Sequence, residues 1–200
     1  MNSRRGYSMT VRDQKAAATR QRILEVTRDL FTATSAFTLD EVARRAGTSV
    51  QTVLRAFGSK ERLVVAAIGT IREDAPARGE VPTSMPDAID QLFDDYEEIG
   101  DRVIRLLSEE DRVPEFAAVA ETGRAQHREW VETAFAPRLY TLPSRERRDA
   151  TTALVAATDV YVWKLLRRDL GLDRSAAQTA VTRLVRGALS TAASTTTKEE

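Results

Sequence analysis

The apolar residues of this chain recur at helical spacing along almost its whole length, and no segment alternates convincingly with a period of two. Helix-breaking residues are scarce, because glycine and proline together make up 15 of 200 residues. No proline occurs in residues 1–75. A composition poor in glycine and proline favours helix. We therefore predict an all-α protein with a helix-turn-helix head of three helices, followed by a C-terminal helical bundle.

The composition excludes several classes of functional site. There is no cysteine, which excludes a disulfide scaffold, a thiolate metal site and a cysteine nucleophile. The single histidine, His127, leaves little scope for an imidazole metal site. No nucleophile–base pair or phosphate-binding loop is visible. We predict no metal, no cofactor and no enzymatic activity.

Neither a membrane span nor a signal peptide is predicted. The longest clean apolar run, residues 63–68, is far shorter than a membrane span. The basic N-terminus has no apolar region behind it, as a signal peptide would. We therefore expect a cytoplasmic protein without a membrane partner.

Charge and proline positions divide the chain. Residues 1–72 hold 13 Lys and Arg against 6 Asp and Glu, whereas the remainder holds 17 against 24. A basic first part indicates a polyanionic partner, although solvated charges can also fall unevenly. Prolines 76, 82 and 86 mark a linker. We predict a flexible basic arm at 1–18, a helix-turn-helix domain at 19–75, a linker at 76–85, a ligand-binding and dimerisation domain at 86–194 and a tail at 195–200.

A helix-turn-helix motif is predicted at residues 38–57. Thr38 and Glu41 have the spacing of a capping box, which satisfies free backbone donors at a helix start. Gly47 is expected to end this helix, and Ser49 to cap the next. Two short helices joined by a glycine-containing turn are typical of DNA-binding proteins.

The second helix of this motif has residues suited to reading DNA. Gln51, Thr52 and Arg55 are predicted to point outward, and these residue types bond base edges or phosphates. Arg44 on the first helix is expected near the surface, either solvated or touching phosphate. Arg55 is the leading candidate for base readout because it lies in the middle of the outward face.

A wider set of residues surrounds this motif. It comprises Arg20, Ile23, Leu24, Leu30, Phe31, Thr38, Val42, Ala43, Ala46, Gly47, Ser49, Thr52 and the segment FGSKERL at 57–63. Residues 20–71 thus resemble the DNA-binding head of TetR-family transcriptional regulators. The later segment DVYVWKLLRRDLGLDR at 159–174 is similar to the penultimate helix and turn of many members.

The resemblance implies an all-helical homodimer whose C-terminal domain binds a small effector and whose DNA-bound state represses transcription. By family position, Thr38 and Lys60 would contact phosphates, while Gln51, Thr52, Leu54 and Arg55 would lie in the major groove. The predicted DNA-binding set is therefore Thr38, Arg44, Thr48, Ser49, Gln51, Thr52, Leu54, Arg55 and Lys60.

Three positions depart from the family pattern. Val50 stands where the family usually has lysine, Leu54 where it commonly has tyrosine, and Ala56 where it often has an aromatic residue. Leu54 can still touch a thymine methyl group. These departures leave open an alternative, a helical ligand-binding or interaction protein whose sequence-specific DNA binding is weak or lost.

Aromatic residues of the second domain are candidates for an effector pocket, although ordinary core packing is the competing interpretation. The candidate set is Phe93, Tyr96, Phe116, His127, Trp130 and Tyr161.

Apolar stripes on the last two predicted helices indicate a dimer interface, because two such helices from each chain form a four-helix bundle. The alternative is that both stripes pack inside one monomer. The predicted interface residues are Leu154, Thr158, Val162, Leu165, Leu166, Val181, Leu184, Val185 and Ala188.

Overall fold

A computed structural model describes residues 3–34, 36–74 and 81–194, with side chains described except at 3–12, 70–74 and 191–194. Within these ranges the regular structure is helical and contains no strand, which confirms the all-α prediction. The helices are α1 (Ser3–Ala33), α2 (Leu39–Ala46), α3 (Val50–Phe57), α4 (Lys60–Asp74), α5 (Met85–Leu107), α6 (Pro114–Ala134), α7 (Ala136–Leu139), α8 (Ser144–Ala157), α9 (Val160–Lys164) and α10 (Arg174–Ser194).

The first helix begins well before the predicted start at residue 19. Helix α1 runs from Ser3, so most of the segment predicted as a flexible arm has helical backbone. Residues 16–18 are alanines, the strongest helix formers, and no proline interrupts them. The side chains from Asp13 to Ala18 are all exposed, and buried residues begin only at Ile23. Apolar periodicity therefore detected the packed half of α1 and missed the solvated half.

Several sequence-based predictions lie outside the described residues. They concern the basic side chains of Arg4, Arg5 and Arg12 in the arm, the apolar side chain of Ile71, the linker residues 76–80 and the tail at 195–200. In the part of the chain that is described, no helix is both long and apolar enough to cross a membrane.

One predicted helix, at residues 144–170, is divided in the structure. Helix α8 ends at Ala157, and Asp159 caps α9 by accepting a hydrogen bond from the backbone N–H of Tyr161 at 2.8 Å. Between them, the hydroxyl of Thr158 donates to the carbonyl of Leu154 at 2.7 Å. Side chains that bond nearby backbone groups compete with the helical ladder, which accounts for the break. Helix α9 then continues into a π-helical turn, Leu165–Asp169.

The apolar residues form two cores, one in the head and one in the bundle. The head core extends beyond helices α1–α4, because Leu106 from α5 and Phe116 and Ala120 from α6 belong to it. The rings of Phe31 and Phe116 meet edge to face with their centroids 6.1 Å apart. The head and the bundle therefore share buried surface at this junction, even though residues 76–85 separate them in sequence.

Helix α9 and its π-helical turn are attached to α5 by packing and by ion pairs. Trp163 is almost completely buried. Arg168 binds Asp101 at 2.9 Å, and Arg167 binds Glu97. Because these contacts join residues about two-thirds of the bundle apart in sequence, they fix how the penultimate helical segment lies on the body of the protein.

Candidate DNA-binding site

Helix α2 starts and ends as its sequence predicts. Thr38 is in an extended conformation, and its hydroxyl accepts a hydrogen bond from the backbone N–H of Glu41 at 3.2 Å. Phe37, directly before this cap, and Val42 are both buried in the head core, at the spacing of a hydrophobic staple. Gly47 ends the helix with φ of 64°, a left-handed conformation that favours glycine.

The turn between α2 and α3 is fixed by local hydrogen bonds. The backbone N–H of Thr48 donates to the carbonyl of Ala43 at 2.9 Å. Ser49 caps α3, because its hydroxyl accepts from the backbone N–H of Thr52 at 3.1 Å and lies 2.9 Å from the Thr52 hydroxyl. Thr48, Ser49 and Thr52 therefore have structural roles first, and the two hydroxyls hold each other in place at the start of α3.

Helix α3 has one face in the core and one face in solvent. Val53 and Phe57 are buried in the head core. Gln51, Leu54 and Arg55 are exposed on the other side, and Leu54 has 40% of its surface accessible although it is apolar. The structure thus brings three of the four residues predicted for the major groove onto one solvent-facing surface, which we call the α3 outer face.

Two predicted phosphate contacts, far apart in sequence, come together in space. The Nζ of Lys60, at the start of α4, lies 4.4 Å from the centroid of the Phe37 ring. Phe37 is the neighbour of Thr38, so the ammonium group stands beside the N-terminus of α2. Both the cation and the free N–H groups of a helix start favour a bound anion. This arrangement is suited to a DNA phosphate.

The charges around this position are balanced locally. Hydrogen bonds from its own backbone N–H and from Ser59 lower the pKa of Glu61, with a smaller contribution from the charge of Lys60. On α2, Arg45 is bound to Glu41 at 2.6 Å. Arg44, the predicted phosphate contact, is exposed beside it.

The structure adds one residue that the sequence-based site lacked. Arg20 of α1 holds its guanidinium 5.0 Å from the centroid of the Phe57 ring, at the C-terminal end of α3. This contact places a cation beside the helix that carries the α3 outer face. Arg20 belongs to the residues that resemble the family, but spacing alone does not reveal that it faces Phe57, because the two come from helices 37 positions apart.

The predicted effector residues do not surround one cavity. Phe93, Tyr96 and Trp130 are buried in the bundle core, whereas Tyr161 is exposed. Phe116 belongs to the head core instead. The aromatic set therefore serves mainly as core, which was the competing interpretation.

Phe116 does line a small cavity at the junction of the head and the bundle. The cavity measures about 40 Å³, room for water but not for the roughly 300–1,000 Å³ of typical ligand sites. Its walls are formed by Phe31, Lys60, Glu61, Val64, Glu109, Val113 and Phe116.

His127 takes part in a buried hydrogen-bond network. The hydroxyl of Thr158 donates to Leu154, so its oxygen accepts from the Nε2–H of His127 at 3.1 Å. The Tyr96 hydroxyl donates to the backbone carbonyl of Thr158 at 3.1 Å. The His127 ring also stacks on Trp130, with centroids 5.8 Å apart. These bonds join α5, α6 and the end of α8, and they explain why polar groups lie in the core.

The predicted dimer stripe is mostly core. Its buried members fill the space between α8, α9 and α10 because the break after Ala157 turns this side of the chain inward; they are Leu154, Thr158, Leu166, Val181 and Val185. These five predictions of interface contact are corrected accordingly. Val162 and Ala188 are half-buried. Only Leu165 and Leu184 are exposed, at 48% and 49%, and Tyr161 beside them in sequence is exposed at 53%.

Comparison with known proteins agrees with this geometry. Residues 23–67 match the family model described as bacterial regulatory proteins, tetR family. The match runs from the first buried residue of α1 to the middle of α4, and so covers the helix-turn-helix and both helices that support it. No curated protein matches the chain. A capped helix-turn-helix with a polar outer face, within a matching family segment, makes this chain a DNA-binding transcriptional regulator of the TetR family.

Proposed function

We propose that this regulator is a ligand-responsive repressor that binds a palindromic operator as a homodimer and leaves it when a small molecule binds. The observation that carries the proposal is the α3 outer face. Gln51, Leu54 and Arg55 are exposed on a helix whose other side is anchored by Val53 and Phe57. A rigidly held helix of eight residues with these side chains fits a major groove.

Each exposed residue has a base for which its chemistry is suited. Arg55 can bond both acceptors of guanine, Gln51 can bond adenine through its amide, and Leu54 can contact a thymine methyl group. Thr38 and Lys60 would position the head on the phosphate backbone, which fixes register but carries no sequence information. Specific recognition is therefore proposed to depend mainly on Gln51 and Arg55.

The exposed apolar side chains support a homodimer. Tyr161 and Leu165 on the penultimate helical segment, and Leu184 on α10, are each about half accessible. Large apolar side chains exposed near one another in sequence are typical of protein interfaces. A two-fold pair of heads would then match two half-sites about one helical turn apart.

The junction of head and bundle supports a response to a ligand. Phe31 meets Phe116 there, and Arg62 of α4 lies 3.9 Å from Glu115 of α6. A ligand that changes how α6 lies on α1 and α4 would change the spacing of the two heads. A preference of about 1.4 kcal/mol for the non-binding form reduces operator affinity tenfold.

The proposal includes a non-catalytic protein whose place is with chromosomal DNA in the cytoplasm. The absence of cysteine and the single histidine in the sequence support the first part. The histidine is engaged with Thr158 in the core.

Selection of DNA from a random duplex pool tests the proposal. Wild type should enrich a palindrome, and Arg55→Ala should relax selection at particular positions of each half-site. Arg148→Ala, at an exposed arginine of α8, is the matched control and should leave selection unchanged. Only salt-sensitive binding without sequence preference would overturn the operator reading.

That outcome would favour the second candidate function, a helical ligand-binding or interaction protein. Val50 is half-buried and Ala56 is exposed, so neither position supplies the lysine or aromatic side chain that the resemblance would lead one to expect. A partner would then be sought for the bundle rather than for the head.

A further inference from the structure

Three arginines meet where α1 packs against α5. Arg28 lies near the end of α1, and Arg102 and Arg105 lie one turn apart near the end of α5. The Nη2 of Arg105 donates to the backbone carbonyl of Thr32 at 3.0 Å. The hydroxyl of Thr32 donates in turn to the carbonyl of Arg28 at 2.8 Å. The three guanidinium groups therefore belong to one region, which we call the α1–α5 arginine cluster.

The cluster is half-buried and is not neutralised by protein carboxylates. Among the described residues, none of its three members has a carboxylate oxygen within 4.0 Å. The Nε atom of each is buried without a hydrogen-bond partner. Arg102 uses its Nη2 on the backbone carbonyl of Glu98. Each guanidinium has five N–H donors, so most of the donors of the cluster have no partner of opposite charge.

The nearest acidic residues do not compensate for this. Asp101, next to Arg102 in sequence, is bound on the other side of α5 by Arg168 at 2.9 Å. Asp29 and Glu98 are exposed. Burial lowers the pKa of Arg102, the charge of Glu98 partly opposes this effect, and the positive charge of Arg28 lowers the pKa further. The like charges of Arg28 and Arg102 are thus close enough to disfavour each other.

We infer that the α1–α5 arginine cluster binds a small oxyanion with two or more negative charges, of the phosphate or polycarboxylate class. Guanidinium groups match the oxygens of such anions with two parallel hydrogen bonds, which lysine does not do. A bound anion would also offset the repulsion among three partly desolvated cations. The site is distinct from the α3 outer face and from the cavity beside Phe116.

Titration of the full-length protein with pyrophosphate, at constant ionic strength set with chloride, tests the inference without DNA. Calorimetry should give saturable binding of one pyrophosphate per chain. At about 100 times the Kd, the Tm should rise by about 5 °C. Citrate should compete with pyrophosphate, because the inferred site recognises multiple charged oxygens rather than phosphorus.

Variants separate the site from general effects of salt. Arg28→Gln and Arg102→Gln should each weaken pyrophosphate binding at least tenfold, whereas Arg148→Gln should bind like wild type. Arg102→Lys keeps the charge but loses the planar fork, and should also weaken binding. In the absence of anion, Arg102→Gln should not lower the Tm, since it removes a disfavoured charge.

Two results would overturn the inference. One is an equal rise in Tm for wild type and for all cluster variants, which would indicate general stabilisation by an excluded salt. The other is unchanged affinity in Arg28→Gln and Arg102→Lys. A failure to select DNA would overturn the proposed operator binding and would leave these binding results intact, so the two proposals can fail separately.

Discussion

The indole of Trp163 lies so close to Gly100 that a Cβ atom at position 100 would be 2.6 Å from its Cζ3 and 2.8 Å from its Cη2. This contact joins α5 to α9 with no room for a side chain between them. Trp163 is 1% accessible, and its ring also meets Tyr96 at a centroid distance of 6.0 Å. The glycine is therefore required by the close approach of the two helices.

We predict that Gly100→Ala destabilises the protein despite the better helix propensity of alanine. Overpacking of this kind costs about 1–3 kcal/mol, which exceeds the roughly 1 kcal/mol that alanine gains over glycine in a helix. Chemical denaturation should give the difference in free energy of unfolding. Gly123→Ala on α6, where an added Cβ would meet no atom within 4 Å, is the control and should be neutral or stabilising.

The same two residues show what sequence patterns can predict. The periodicity of α5 predicted a buried helix, and Trp163 was expected on a helix that packs against the bundle. Which glycine the indole would touch depends on the rotation of α9, and that rotation follows from the break at Thr158 and the π-helical turn. Apolar spacing reads continuous helices and does not register a one-residue break.

The head was predictable for a related reason. Its boundaries are fixed by local hydrogen bonds from Thr38 and Ser49 to nearby backbone groups, which a sequence displays directly. The junction was not predictable, because Phe116 could equally have joined the bundle core. Contacts such as that between Phe31 and Phe116 join residues far apart along the chain.

Replacing the cap of α3 should separate stability from DNA binding. Ser49→Ala removes the acceptor for the backbone N–H of Thr52, and loss of an N-cap costs about 1 kcal/mol. Ser49→Asp keeps a good cap but places a negative charge where a DNA phosphate is proposed to lie. Thermal unfolding should show a loss for alanine and little change for aspartate.

The DNA readout should rank these two variants in the opposite order. Ser49→Asp should weaken binding to DNA more than Ser49→Ala, with the difference shrinking as salt rises. Equal affinities for the two variants would mean that this helix start does not face phosphate.

The ion pair between Glu97 and Arg167 should contribute to the pH dependence of stability. The hydrogen bond from Arg167 lowers the pKa of Glu97 from its usual 4.5, and partial burial opposes this shift. A carboxyl group with a depressed pKa stabilises the fold at pH values above its unfolded pKa. That contribution is lost as the pH falls from about 4.5 through the pKa of the folded state.

We therefore expect Glu97→Gln to lower the free energy of unfolding at pH 7 by about 1 kcal/mol, a value reduced for residual solvent screening. Below pH 4 the two proteins should converge. Urea denaturation across pH 3–7 measures the difference, with the exposed Glu132 changed to Gln as the control. A constant gap between wild type and Glu97→Gln at every pH would contradict the proposed charge effect.

The exposed apolar side chains of the last helical segments should determine the oligomeric state. Leu165 and Leu184 are half accessible, although their neighbours Leu166 and Val185 are buried. Leu165→Glu combined with Leu184→Glu would place four negative charges in a two-fold interface and so prevent association. Because both side chains already face solvent, the fold itself should be retained.

Light scattering and analytical ultracentrifugation should show a dimer for wild type and a monomer for the double variant. Val81→Glu, at an apolar residue 60% exposed before α5, is the matched control and should remain dimeric. Affinity for a selected palindrome should fall steeply in the double variant, because each head alone makes half of the contacts and loses the advantage of a linked pair. A double variant that still dimerises would exclude Leu165 and Leu184 from the interface, and a wild type that is monomeric at micromolar concentration would contradict the dimer itself.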